Sequence, residues 1–252
     1  MALGGLGLFL LEAATGTALL LLFFPTATLG KGFFALHGGL ALAFALGALR
    51  AMPPGYPRLA GAASIGLLAL YVAWVLAGSA SRARLLLAGG GLLCLRALVS
   101  VALAAPRPAG TGWTLAGSLL GGLFFGAALL TMNLGHWYLV SRSLPFRLLT
   151  RGAALFGVLA AARTLLLIAA AALPANRPAL EPLLSAEQEG LFFLFRVLWG
   201  IAGPLALAYF IWKTAEMRSN QAATGLLYVA VVFVLIGELL SSYLTVATGF
   251  PA

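Results

Sequence analysis

At 252 residues, with 62% hydrophobic and 8% charged side chains, the chain is not an ordinary soluble domain, in which charged residues make up roughly 25%. Its formal charge of +9 lies mostly in short stretches between apolar runs, a pattern that reports membrane topology and anionic-lipid contact and excludes a nucleic-acid partner. Cys94 is the only cysteine and sits inside an apolar run, so there is neither a disulfide framework nor a thiolate metal cluster.

The chain opens on Met1-Ala-Leu-Gly-Gly-Leu-Gly, without Lys or Arg and without a small-residue cleavage site. The first apolar run therefore reads as a retained membrane helix, not a secretory signal. Eight spans follow, at about 3–25, 32–50, 59–78, 84–105, 112–140, 150–173, 190–212 and 222–248, each about 20 or more residues long and bounded by charge, Pro or Gly. Continuous apolar runs exclude the alternation of a barrel. The expected fold is all-α, a polytopic transmembrane helix bundle of about eight spans forming one domain over residues 1–252.

Gly-rich spacings such as Gly4, Gly5 and Gly7, Gly89-Gly90-Gly91 and Gly121-Gly122 predict close helix crossings. Between the sixth and seventh spans, Pro174, Pro178 and Pro182 with Glu181, Glu187 and Glu189 predict a loop with a short surface helix. Pro204 predicts a kink in the seventh span. No internal repeat is evident, which gives no support to a transporter built from inverted halves.

An even number of spans places both termini on one side. The opposite loops carry Lys31, Arg82, Arg84, Arg142, Arg147, Arg151, Lys213 and Arg218, against Arg50, Arg58, Arg107 and Arg177 on the terminal side. The excess of positive charge predicts termini outside and basic loops in the cytoplasm, in the inner (cytoplasmic) membrane of a cell.

The fifth span ends in Asn133-Leu-Gly-His136-Trp137-Tyr138, next to a basic loop. His136 lies about four residues before the end of that span, and His37 about six residues into the second. Span parity puts both imidazoles about 6–9 Å below the same surface. Such a pair could take the two axial positions of a b-type haem, could handle protons or a quinone without haem, or could be structural. Trp137 and Tyr138 stand where interfacial aromatics are expected; the functional alternative makes them and Asn133 the wall of a pocket for menaquinone or ubiquinone.

Charges inside spans are costly and become functional candidates. Glu12, Arg96 and Arg163 lie near the middle of spans one, four and six, Arg196 in the seventh and Glu238 in the eighth. Adjacent antiparallel spans bring Arg196 and Glu238 to similar depth and predict an ion pair. Glu12 has Arg96 or Arg163 as candidate partners. These five predict either buried pairs that fix packing or a proton path. Walker loops, dinucleotide fingerprints, HExxH motifs and every Asp are missing, which excludes the common soluble chemistries and leaves electron and proton transfer.

The eighth span, Gly225-Leu-Leu-Tyr228 through Gly237-Glu238-Leu-Leu-Ser-Ser-Tyr243, together with Arg196 and Gly203-Pro204-Leu205, resembles the eight-helix membrane anchors of dimethyl-sulfoxide reductase and polysulfide reductase type enzymes. The specific similarity covers only the last quarter of the chain. It implies a quinone-reactive, non-catalytic subunit of a respiratory oxidoreductase complex that exchanges electrons with an iron-sulfur or other redox subunit, with Arg196 and Glu238 as its polar positions. Two intramembrane His depart from that pattern, since those anchors do not require haem. The competing expectations are a transporter or proton channel with a polar intramembrane path, and a structural assembly subunit.

Overall fold

The computed structural model describes residues 2–52, 56, 58–78, 81–104, 108–141, 144–145 and 147–252; Arg107 and Arg142, counted above in the loops, lie outside them. Helices account for all regular structure among the described residues, as lipid requires, because only a helix satisfies every backbone group within its own segment. They are α1 (Ala2–Leu21), α2 (Thr26–Ala51), α3 (Arg58–Ala77), α4 (Arg84–Ala104), α5 (Thr111–Val140), α6 (Arg147–Ala172), the short α7 (Arg177–Leu180), α8 (Gln188–Val197), α9 (Gly203–Glu216) and α10 (Asn220–Thr248). Eight segments are long and apolar enough to cross a membrane, with α8 and α9 joined into one of 29 residues. The protein is a multi-pass membrane protein whose outer faces meet lipid.

Several boundaries follow directly from local chemistry. Gly30 has φ 69° and ψ 165°, a conformation open essentially to Gly alone, so the spanning part of α2 begins at Lys31. The segment after α6 is pinned by Asn176, whose Nδ2 donates to the Ala170 carbonyl at 2.8 Å. It contains the expected short helix, α7, flanked by 3-10 turns at Pro174–Asn176 and Glu181–Leu184. Where Pro204 predicts a kink, the seventh span shows a π turn at Leu198–Ala202, just ahead of the proline. Pro has no N–H, and its ring crowds the carbonyl four residues back, at Gly200. Widening that turn relieves the crowding, and the Gly203 N–H bonds the Leu198 carbonyl instead.

The helices are not equivalent. α1 and α5 are the central pair, 78% and 67% buried over their most apolar windows, against 28–39% for the other six spans. Glycines bring the pair together. A Cβ on Gly122 would lie 2.4 Å from the Glu12 carbonyl, and one on Gly126 would lie 2.7 Å from the Gly16 backbone. Glu12 thus faces 122 and Gly16 faces 126, so α1 and α5 run parallel, as spans of equal parity must. α10 closes the other side of α1, with its Tyr243 backbone 2.8 Å from a would-be Cβ on Gly5. After Gly249, a left-handed cap at φ 78°, Phe250-Pro251-Ala252 folds back into the bundle, where Phe250 and Ala252 are fully buried.

Candidate functional site

The centre of the bundle holds four charges in a layer of low dielectric. Glu12 (α1), Arg163 (α6), Arg196 (α8) and Glu238 (α10) are all at most 4% exposed. Burying a charge is expensive unless it is paired and hydrogen-bonded, and the pairing here is uneven. Arg196 Nη2 donates to Glu238 Oε1 at 2.8 Å, the ion pair expected from helix order. Arg163 approaches the same carboxylate from the other side, with Nε 3.4 Å from both oxygens and Nη2 3.4 Å from Oε2. Arg163 Nη2 also donates to Ser241 Oγ at 2.6 Å and to the Ala252 backbone oxygen, which accepts from Ser241 Oγ as well. Glu238 is therefore clamped between two guanidiniums.

Glu12 is held differently. Its Oε2 accepts from Ser242 Oγ at 2.7 Å, and Ser118 supplies a second hydroxyl. Among the described residues no Lys, Arg or His lies within salt-bridge distance of it. Ser242 Oγ is also 3.0 Å from the Glu238 carbonyl, which ties the two carboxyl-bearing helices together. Counted over these four side chains alone, the charge is zero when Glu12 is ionised and +1 when it is protonated.

Helix geometry explains how so polar a group is assembled from an apolar chain. Glu238, Ser241, Ser242 and Thr245 recur at spacings of three and four along α10 and so share its inward face. This spacing of polar residues is legible in the amino-acid sequence and places Ser241 and Ser242 beside Glu238. The π turn sets the position of Arg196. Gly200 within it and Gly237 on α10 approach so closely that a Cβ on Gly237 would stand 2.3 Å from the Gly200 Cα. Arg196 Nη1 is caught in this crossing, 2.4 Å from a would-be Cβ on Gly200. Arg196 Nε and Nη1 and Arg163 Nη1 are buried donors without a partner among the described atoms.

Arg96 does not join this group. It is exposed on the outward face of α4, and the candidate Glu12–Arg96 pairing is thereby corrected. Depth along a span was readable from the sequence, but the direction around the helix was not. Arg163, the other candidate partner of Glu12, spends its hydrogen bonds on Glu238, Ser241 and Ala252.

The polar end of α5 does not form one pocket wall either. Successive residues on a helix are about 100° apart, and Asn133 to Tyr138 turn to three sides. Asn133 and Trp137, four apart, face α2: Asn133 Nδ2 lies 3.0 Å from His37 Nε2, and Trp137 meets Phe33 edge-on at 5.7 Å. His136 is exposed and its Nδ1 lies 3.1 Å from the Tyr228 hydroxyl on α10. Tyr138 donates to the Pro145 carbonyl and accepts from the Leu149 N–H at 3.3 Å, which fastens the turn between α5 and α6.

A haem bridged by the two His does not fit this arrangement. His37 is fully buried and its Nδ1 is 2.7 Å from the Phe33 carbonyl. A carbonyl only accepts, so the proton sits on Nδ1 and the Nε2 lone pair is taken by Asn133. Both ring nitrogens of His37 are thus engaged, and His136 bonds a different neighbour, Tyr228, through its Nδ1.

No protein-family model, curated protein or solved structure matches the chain.

Proposed function

We propose that this is a membrane protein that handles protons, a transporter or proton-conducting subunit whose working group is Glu12 beside the Arg163–Glu238–Arg196 clamp. One observation carries the reading: two buried carboxyls share a layer, one held by two guanidiniums and the other by hydroxyls alone. Carboxyls placed in such contrasting surroundings divide the roles of fixed charge and proton carrier between them. Glu12 takes up or releases a proton without breaking an ion pair, while Glu238 keeps the guanidiniums compensated.

The π turn in the seventh span supports the same reading. π turns concentrate at functional sites, and this one begins two residues after Arg196. The basic loops support an orientation in the inner membrane with both termini outside.

Infrared difference spectroscopy of the protein in bilayers, titrated with pH in light and heavy water, tests the role of Glu12. The titrating carboxylic-acid carbonyl absorbance, which shifts on deuteration, should contain a component that Glu12→Gln removes, over the bands of Glu181, Glu187, Glu189 and Glu216. A wild-type spectrum that Glu12→Gln leaves unchanged contradicts the assignment.

A second reading is favoured by the Asn133–His37 pair beside Phe33 and Trp137. In it the chain is a quinone-reactive subunit, and Asn133, which keeps one amide hydrogen free of His37, donates to a quinone carbonyl. An iron-sulfur subunit would then be its partner. A quinone-dependent change in Trp137 fluorescence that Asn133→Leu removes would favour this reading.

A further inference from the structure

Arg96 is the intramembrane charge that the buried group leaves out, and it lies almost midway along α4. Leu85, Leu92, Arg96 and Leu103 are all exposed, at spacings of seven, four and seven. At 100° per residue they fall within about 40° of one another. They form one outward stripe, apolar except for a guanidinium at its centre.

Snorkelling does not easily relieve that charge. The nearer end of α4, Ala104, is eight residues away, about 12 Å, and Arg84 is twelve residues away, about 18 Å. Cα–Cβ bonds on a helix tilt toward its N-terminus, so the side chain of Arg96 starts out toward the farther end. Charged side chains at this depth are as a rule paired.

The chain itself cannot supply the counter-charge, even from a second copy. It has six acidic residues and no Asp. Glu12 and Glu238 are buried within the central group. Glu216, at the end of α9, is paired with Lys213 at 2.8 Å. Glu181, Glu187 and Glu189 belong to the segment between α6 and α8 and its junction, outside mid-membrane depth.

We infer that the α4 stripe docks a transmembrane helix of a different protein, one that carries a carboxylate at mid-membrane depth against Arg96. The leucines on either side give that helix an apolar seam, and the ion pair fixes its register. This inference stands apart from the proton-handling reading, since Arg96 touches none of the residues of the central group.

Synthetic, fluorescently labelled Leu-rich single-span helices provide the test, carrying at their centre Glu or Leu, or Glu moved two turns toward one end. Binding to the full chain in phosphatidylcholine bilayers is read by energy transfer. The central-Glu helix should bind at least about tenfold more tightly than the other two, a difference of about 1.4 kcal/mol. Arg96→Leu should remove the preference and Arg96→Lys should keep part of it, both with the wild-type unfolding temperature. Equal binding of all three helices, or binding unaffected by Arg96→Leu, overturns the inference. So does a preference that disappears on adding anionic lipid, which would make phosphate the counter-ion.

Discussion

Glu12 and Glu238 show how the same side chain acquires different work from its neighbours. Glu238 compensates two guanidiniums that are each at most 1% exposed, so removing it strands Arg196 and leaves Arg163 with Ser241 and the Ala252 oxygen alone. Glu238→Leu is expected to cost about 3–5 kcal/mol, seen as a large fall in the thermal unfolding temperature in detergent. Arg196→Leu should cost less, because Arg163 still compensates Glu238; equal losses would contradict a shared clamp. The Arg196–Glu238 pair was legible in the sequence because adjacent antiparallel spans fix relative depth. The partner of Arg163 and the outward turn of Arg96 were not legible, since both depend on which way a residue faces around its helix, and an apolar span with few polar residues gives little periodicity to read. The same lack of azimuth made His37 and His136 look like partners when each has its own hydrogen-bonded neighbour.

Among the elements, the seventh span is the one whose irregularity matters to the site. Pro204 marks the irregularity, but that Gly200 within the π turn faces Gly237 is visible only in the packing against α10. That contact holds Arg196 at 2.8 Å from Glu238, and it has no room for a methyl group. Gly237→Ala is expected to force the helices apart, at a cost of about 1–3 kcal/mol, and to weaken the clamp from a distance. A measured unfolding temperature equal to that of the wild type would mean that the two helices do not cross as closely as described. The Gly-rich spacings were readable as crossings in general. Which glycines meet was not, because Gly122 and Gly126 serve α1 whereas the neighbouring Gly121 lies against Glu238 Oε2, 2.4 Å from a would-be Cβ.

At the scale of the whole molecule, span number and boundaries were largely legible. The expected 84–105 and 112–140 stand beside Arg84–Ala104 and Thr111–Val140, because Arg, Pro and Gly punctuate apolar runs wherever the chain leaves the bilayer. The arrangement of the helices was not legible, since most spans are apolar nearly all round, and the polar stripe of α10 marks an inward face without saying which helices it meets. The structure resolves this by placing α1 and α5 at the centre, so the acid carried by α1 is shielded from lipid on all sides and lies next to the clamp. That placement supports the proposal that Glu12 handles protons. The most direct test is proton flux into proteoliposomes under an imposed membrane potential, read with a pH-sensitive dye. Glu12→Gln keeps an acceptor for the Ser242 hydroxyl and so preserves the packing. The wild type should carry a flux above that of protein-free vesicles, and Glu12→Gln should reduce it about tenfold or more, at least about 1.4 kcal/mol in the barrier. A wild-type flux no greater than that of empty vesicles, or an undiminished flux in Glu12→Gln, would contradict the account.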